Sequence, residues 1–187
     1  VVGRHLRTAG AQFISSGMLT TALLAVLALA EPPAVPLITH DPFFSVWSMN
    51  EKLTDDWPRH WSGSTMGMSG MVWVDGAAYR WCGTLPHAVG AAVQRRVDVN
   101  LTSTVYTFDA GPVELAVTFS SPMGMATDFS LVSESISSIT FAARATDNSS
   151  HQTRVYLDLS GEWCTNSADS AVTWSRPRSS SRRPRCS

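Results

Sequence analysis

The 187-residue chain lacks the short motifs by which many enzymes are recognised. It contains no G-x-S-x-G, H-E-x-x-H, P-loop or G-x-G-x-x-G pattern, so no hydrolase elbow, zinc-protease helix or nucleotide-binding turn is predicted. His40, His60, His87 and His151 lie far apart, and none pairs at the i, i+4 spacing of a helical metal site. We therefore assign no catalytic residue from the sequence, and we expect neither a cofactor nor a metal.

Two stretches nevertheless combine residue types that occur in active sites. Ser62 follows His60 by two residues, but a catalytic triad is defined by geometry, and nothing here predicts a nucleophile elbow. Asp55 and Asp56 are adjacent, whereas the paired carboxylates of glycosidases flank a bond from opposite sides. We interpret the acidic pair as a solvated turn or a helix start.

Acidic residues are absent from both ends of the chain. All fifteen Asp and Glu lie between Glu31 and Asp169, with only seven Lys or Arg among them, so this stretch has a formal charge of −8. The other seven basic residues are arginines at the two ends. Binding to phosphates requires a basic face, so we do not expect nucleic acid as a partner.

No apolar run is long enough to span a membrane. The segment from Leu19 to Ala30 has twelve residues, whereas a membrane-spanning helix needs about 20. It follows Met18 and ends in Ala28-Leu29-Ala30, a small-x-small pattern typical of signal-peptide cleavage. We predict a cut between Ala30 and Glu31 and a secreted, extracellular or cell-surface protein, with a buried helix as the alternative.

Cysteine usage and two sequons fit a secretory route. Asn100 and Asn148 begin N-x-[ST] triplets, and we predict Asn148 in a turn and Asn100 in a strand. Cys82 and Cys164 could form a disulfide across the domain. An unpaired, buried Cys82 fits the sequence equally well.

Helical periodicity is scarce after the Pro-rich EPPAVP segment, and alternating patterns predict strands instead. In residues 71–81, Asp75-Gly76 separates two aromatic-rich runs, which indicates a two-residue hairpin. A second hairpin is predicted over residues 104–119, with its turn at Asp109-Ala110-Gly111-Pro112. The alternation places Val93, Val97, Val99 and Leu101 on one side of a strand, and Val113, Leu115, Val117 and Phe119 on one face of the second hairpin. The residues expected on inner faces are Ile139, Phe141, Ala143, Val155, Leu157 and Leu159. Short alternating strands of this kind predict an all-β fold, an antiparallel β-sandwich.

Four regions follow from these patterns. Residues 1–30 contain upstream sequence and the signal peptide, and residues 31–70 form an irregular aromatic-rich segment that packs on the sandwich. Residues 71–174 form the β-sandwich. Residues 175–187 contain only Ser, Arg, Pro and Cys, so they are either a disordered basic tail or the product of a lost reading frame.

Tryptophan is abundant, with seven residues in the chain. We predict that Trp57, Trp61, Trp73 and Trp81 contribute to an aromatic face, in which Trp73 points away from the core and could meet Trp81 across the hairpin. Exposed indole rings stack on sugars, so such a face could bind carbohydrate. Cover by another part of the protein is the interpretation that we favour over a sugar.

Residues 32–83 resemble the start of the secreted glutaminase A family. The matching elements, in order, are P-x-V-P-L, DPFFSVW, WPRHWSG and G-M-V-W-V-D-G-x-x-Y-R-W-x-G. Residues 93–164 resemble the N-terminal β-sandwich of the same family through weaker motifs. The resemblance therefore covers about residues 32–174, and it implies that the aromatic run at 37–61 acts as a structural clasp.

The resemblance also implies an activity for the full-length family, which hydrolyses the side-chain amide of L-glutamine to glutamate and ammonia. Its members continue into a long helical portion, where the chemistry is expected, so no catalytic residue carries over onto this chain. Two hypotheses remain. One is a non-catalytic N-terminal part of a glutaminase A-like amidohydrolase, whose partner is the missing C-terminal helical domain. The other is a free-standing secreted β-sandwich that binds carbohydrate or protein.

Overall fold

A computed structural model of the chain describes residues 33–39, 41–121, 136–167 and 169–175. Within these ranges the regular structure is entirely β, apart from one 3-10 turn, and every strand pair is antiparallel, which confirms the predicted fold class. The predicted signal peptide, its cleavage position, His40 and residues 176–187 of the basic tail lie outside the described residues. The elements are β1 (Val35–Ile38), β2 (Val46–Ser48), β3 (Met68–Val74), β4 (Ala77–Cys82), β5 (Val93–Val99), β6 (Ser103–Ala110), β7 (Val113–Ser120), β8 (Ser138–Ala145), β9 (Thr153–Leu159) and the 3-10 turn Gly161–Cys164.

The described strands form three sheets. A four-stranded sheet has the order β5-β6-β7-β8, a three-stranded sheet has the order β4-β3-β9, and β1 pairs with β2. The strands of the four-stranded sheet follow one another in sequence, whereas β9 returns from the end of the domain to pair with β3. That long-range pairing brings the β3–β4 turn next to the loop between β8 and β9.

The β3–β4 hairpin forms where the sequence predicts it, although β3 begins at Met68. Asp75 and Gly76 have φ angles of 50° and 91°, and two consecutive left-handed residues are what a type I′ turn requires. Val74 then pairs with Ala77 across the turn.

The centre of the core comes from the β6–β7 hairpin. The residues predicted to share one face of β7 are at most 2% exposed, because they alternate with residues that point to the other side of the sheet. Tyr106 on β6 packs edge-on against Phe119, with ring centroids 6.1 Å apart. Burying a side chain such as Phe119 contributes about 1.5–3 kcal/mol.

The edge strand β5 departs from the predicted alternation. Val93 and Val99 are 55% and 47% exposed, and Leu101 is fully exposed. The register shifts between Gln94 and Arg96, and a bulge of this kind turns later side chains to the other face. Val93 therefore lies on the opposite side of the sheet from Val97 and Val99, which face the inner residues Tyr106 and Thr104, so the predicted shared side was wrong for Val93. Val97 packs against the core, whereas Val99 is exposed at the end of the strand.

The last two strands also expose predicted core positions. Ala143 on β8 is exposed, and Val155 and Leu159 on β9 are 40% and 44% exposed. Phe141 and Leu157, in contrast, pack against the core, as does Ile139. The alternation predicted the strands correctly, but the core does not extend across their whole length.

The aromatic-rich segment before β3 packs on the sandwich through buried side chains and backbone hydrogen bonds. Leu53 is 1% exposed, and its carbonyl accepts a hydrogen bond from the Gly83 N–H at 3.0 Å. The Gln94 side chain accepts from the Leu53 N–H at 2.9 Å, and the Thr104 hydroxyl donates to the Pro36 carbonyl at 2.6 Å. This segment therefore lies against both larger sheets.

Candidate functional site

The outer face of the three-stranded sheet contains a groove of about 460 Å³. In the β3–β9 register, Trp73 lies opposite Arg154 and Met71 lies opposite Tyr156, so their side chains share the face that points away from the core. The residues that line the groove are Trp73, Gly76, Gln152, Arg154, Val155 and Tyr156.

Two rings and one guanidinium define the chemistry of this groove. Trp73 and Tyr156 meet edge to face, with centroids 6.4 Å apart and planes at 85°. The Arg154 side chain makes no hydrogen bond or ion pair with any residue that the structure describes. Aromatic faces bind flat apolar surfaces, and an unpaired guanidinium binds a carboxylate or another anion. The groove therefore suits a ligand that has both features.

Three titratable side chains meet beside the groove at the end of β3. His151 Nδ1 lies 2.6 Å from Asp75 Oδ2, and His151 Nε2 lies 2.9 Å from Asp147 Oδ1. Hydrogen bonds that the imidazole ring donates to the two carboxylates, with Asp147 contributing most, raise the pKa of His151 above its ordinary value. The same contacts lower the pKa values of both carboxylates. Because each ring nitrogen faces a carboxylate, the cluster favours the doubly protonated imidazolium, which has no free lone pair for a general base or a metal ligand.

This cluster connects two distant parts of the sequence. The Asp75 carboxylate also accepts a hydrogen bond from the Gln152 N–H at 2.9 Å, and the Asp75 N–H donates to the Gln152 carbonyl at 3.0 Å. We name Asp75, Asp147 and His151 the clamp, because together they hold the β3–β4 turn against the β8–β9 loop.

The Ser62 and His60 pair forms a hydrogen bond, but in an exposed turn. Ser62 Oγ lies 2.7 Å from His60 Nδ1, and the Ser62 N–H donates to the same nitrogen at 3.2 Å. His60 Nε2 therefore carries the proton and donates to the Pro42 carbonyl at 3.2 Å. Contacts between residues two positions apart are typical of side chains that stabilise a turn, and we assign this pair that role.

The four predicted tryptophans do not form one face. Trp81 is fully buried on the core side of β4, where its ring lies over Gly70 and meets the Phe141 ring at 5.5 Å. The two-residue turn pairs Trp73 with Ala78, so Trp81 falls on the opposite side of the sheet. The predicted contact between Trp73 and Trp81 was therefore wrong.

The other two tryptophans lie in the segment before β3. Trp57 is half-buried and packs on Gly83, where an added Cβ would come within 2.8 Å of the indole ring. Trp61 is 63% exposed, and its indole N–H donates to the Pro42 carbonyl at 2.6 Å. Neither lines the groove that contains Trp73.

Cys82 and Cys164 are both free thiols in the structure, so the predicted disulfide is not formed. Cys82 points into the core beside β3, and its thiol approaches the Met68 carbonyl at 3.5 Å, while Cys164 is exposed in the 3-10 turn. Burial raises the pKa of the Cys82 thiol far above its ordinary value. The alternative of an unpaired, buried Cys82 describes the structure.

Both sequon asparagines are exposed. Asn100 lies in the turn after β5, not within a strand as predicted, and its N–H donates to the Ser103 carbonyl at 2.7 Å. Asn148 lies in the β8–β9 loop with a φ angle of 61°, a conformation that asparagine tolerates well. The use of these sequons for glycosylation stays a prediction.

The described residues contain neither a metal-binding cluster nor a membrane-spanning helix. Among them, no group of three or more His, Cys, Asp and Glu side chains is arranged to hold a metal ion. The same residues include no helix that is long and apolar enough to cross a membrane.

Sequence reasoning missed Arg154, Tyr156 and the clamp. Asp75 belongs to one predicted turn and His151 follows another at Asn148, and these turns are the available signal. Their contact depends on β9 pairing with β3, and no local pattern reports which strands become neighbours.

The chain matches two domain families and is similar to two fungal proteins. One domain of unknown function (DUF4964) matches residues 19–93, and a second domain of unknown function (DUF5127) matches residues 102–182. Glutaminase A from Aspergillus oryzae is 30% identical over 153 residues, which cover 78% of this chain and 22% of that protein. "Probable glutaminase" from Arthroderma benhamiae is 28% identical over 162 residues, which cover 76% of this chain and 18% of that protein.

No solved structure gives a significant match. The chain spans about a fifth of the length of the curated relatives it matches. It is homologous to glutaminase A and corresponds to an N-terminal part of a glutaminase A-like protein, as the sequence motifs indicate.

Proposed function

We propose that this glutaminase A-related chain is the non-catalytic N-terminal scaffold of a secreted amidohydrolase. In the whole protein, water cleaves the side-chain amide of L-glutamine to give glutamate and ammonia. The observation that carries the proposal is the homology, which extends over 78% of this chain but only 22% of the Aspergillus protein. Two polar clusters among the described residues support it. In the clamp and in the His60–Ser62 turn, the side chains hydrogen-bond to one another and hold the backbone in place.

A chimera tests this role. The region of the Aspergillus glutaminase A that matches this chain is replaced by the corresponding residues of this chain, and ammonia release from L-glutamine is measured. We expect the chimera to be active and the isolated chain to be inactive. Glutamine hydrolysis by the isolated chain at the rate of the chimera would contradict the proposal, as would an inactive chimera whose circular dichroism shows that it is folded.

We also propose secretion, which the apolar segment ending at Ala30 supports. Expression in a fungal host with N-terminal sequencing of the medium fraction tests it, with Glu31 expected as the first residue. Endoglycosidase treatment of the same fraction tests the two exposed sequons. Retention of the whole chain inside the cell would refute both expectations.

Carbohydrate binding in the groove is the second candidate, and the unpaired Arg154 beside Trp73 and Tyr156 favours it. A uronic-acid oligosaccharide presents an apolar ring face and a carboxylate, so it is the probe that matches the groove. We expect quenching of tryptophan fluorescence that Trp73→Ala removes and Trp61→Ala retains, since Trp61 is exposed elsewhere. Equal quenching in both variants would exclude the groove as the site.

A further inference from the structure

The inner face of β9 extends beyond the core. Val155 lies directly opposite Val72 of β3, and Leu159 lies opposite Met68. Val72 and Met68 are completely buried, yet Val155 is 40% exposed and Leu159 is 44% exposed. Six of the seven β9 residues are exposed, so the core ends between β3 and its neighbour.

The backbone of β9 also has one edge that pairs with no strand among the described residues. The Asp75 N–H donates to the Gln152 carbonyl, and the Ser160 N–H donates to the Gly67 carbonyl, so hydrogen-bonded pairs mark both ends of the β3–β9 ladder. Antiparallel pairs alternate, which turns the backbone groups of the even-numbered residues toward β3. The N–H and C=O groups of Thr153, Val155 and Leu157 therefore point to the free edge.

The β4 and β5 edges of the described sheets have protection that β9 lacks. The β4 edge is covered by residues 90–92, where the Arg80 N–H donates to the Gly90 carbonyl at 2.8 Å. The β5 edge has a bulge and carries Arg95 and Arg96. The β8 edge pairs without a bulge, as β9 does, but its inner-face residues Ile139 and Phe141 pack against the core. In contrast, β9 pairs with β3 without a bulge and contains neither proline nor lysine. Natural proteins rarely leave such an edge free.

We propose that β9 is a strand-addition site, at which an extended segment from the part of the protein outside this chain pairs with the free edge. The proposal rests on the proposed function, because the matched relatives are about five times longer than the region they share with this chain. Alternate apolar side chains of the added segment cover Val155 and Leu159. On the other face, an acidic side chain of the added segment pairs with the Arg154 side chain, which has no ion-pair partner among the described residues.

Hydrogen exchange in the chimera measures this pairing directly. The amide protons of Val155 and Leu157 point to the free edge, so they exchange quickly in the isolated chain. We expect them to exchange at least about tenfold more slowly in the chimera, because each gains a hydrogen-bond partner. The Val99 amide is the internal reference. The adjacent Asn100 N–H bonds to the Ser103 carbonyl, which turns Val99 to the free edge of β5.

Matched proline variants test the consequence for the enzyme. Val155→Pro removes an edge donor without removing a bond to β3, and Val99→Pro does the same on β5, where the valine is 47% exposed. We expect Val155→Pro to shorten the half-life of chimera activity on heating about fivefold, as the loss of one hydrogen bond implies, and Val99→Pro to leave it unchanged. Val155→Lys and Val99→Lys repeat the comparison if proline prevents folding.

The exchange and proline experiments distinguish failure of the strand-addition site from failure of the proposed function. Fast exchange at Val155 and Leu157 in an active chimera, or equal effects of the two proline variants, would overturn the strand-addition site while leaving the proposed function intact. A folded but inactive chimera would remove the proposed function and this inference with it. An isolated chain that dimerises, and that Val155→Pro makes monomeric, would show that a second copy occupies the edge.

Discussion

Replacing Gly70 with alanine tests the packing on which the inner layer of the sandwich depends. Gly70 lies on the core side of β3, and the Trp81 indole lies directly over its α-carbon. A Cβ at this position would approach three atoms of the indole ring, with Cδ2 at 2.7 Å, far inside van der Waals contact. The ring has little room to retreat, because it is fully buried and meets Phe141 at 5.5 Å.

Overpacking of this kind costs about 1–3 kcal/mol in the free energy of unfolding. For a domain of this size, 2 kcal/mol corresponds to a decrease in melting temperature of roughly 4–8 °C. Gly90→Ala is the matched control, since a Cβ at Gly90 meets no atom within 4 Å and the residue does not have a left-handed φ angle. We expect the control to be within about 0.5 kcal/mol of the wild-type chain.

Urea unfolding followed by tryptophan fluorescence measures both variants. A lower transition midpoint at an unchanged slope identifies a loss of native stability. The double variant Gly70→Ala with Trp81→Leu isolates the cause, because the smaller side chain leaves room for the new methyl group. Its two changes should then cost less together than the sum of the single effects. Equal stability of Gly70→Ala and Gly90→Ala would refute the placement of Trp81 over β3.

Three further outcomes follow from single contacts. Because the pKa of His151 is raised and those of its two aspartate partners are lowered, the clamp stabilises the fold fully between about pH 4 and pH 6.5. That contribution is lost as pH rises through the raised histidine pKa or falls through the lowered aspartate values, and His151→Gln should flatten the profile of melting temperature against pH. Maleimide labelling of the native chain, mapped by mass spectrometry, should modify the exposed Cys164 and spare the buried Cys82 until the chain unfolds. Thr104→Val removes the 2.6 Å hydrogen bond to the Pro36 carbonyl and should lower the free energy of unfolding in urea by about 1–2 kcal/mol, whereas an unchanged midpoint would show that the segment before β3 docks without it.

Local hairpins were the part of the fold that the sequence predicted best. Asp75-Gly76 selects a type I′ turn by its backbone preferences, and the β6–β7 hairpin has a continuous apolar face from Val113 to Phe119. Each hairpin is encoded within a stretch of about sixteen residues or fewer, so its prediction does not depend on which other strands lie nearby.

The candidate site was harder to predict because it depends on register and on distant pairing. The position of Trp81 follows from a two-residue turn that pairs Trp73 with Ala78. A shift of the β3–β4 register by one residue would move Trp81 to the other face of the sheet. The groove needs β9 beside β3, which joins Arg154 to Trp73 across some eighty positions of sequence. The composition and periodicity of the sequence do not indicate that β9 pairs with β3.

The sequence predicts that the inner face of β9 is buried, whereas the structure leaves most of it exposed. Val155, Leu157 and Leu159 alternate with polar or amphipathic residues, which is the pattern of a strand with one buried face. The structure covers only Leu157 in part, although the facing residues of β3 are fully buried. An apolar stripe beside an unpaired backbone edge is costly in water and prone to aggregation unless another segment covers it. The alternation in β9 is thus explained by burial against a part of the protein that the proposed strand addition supplies.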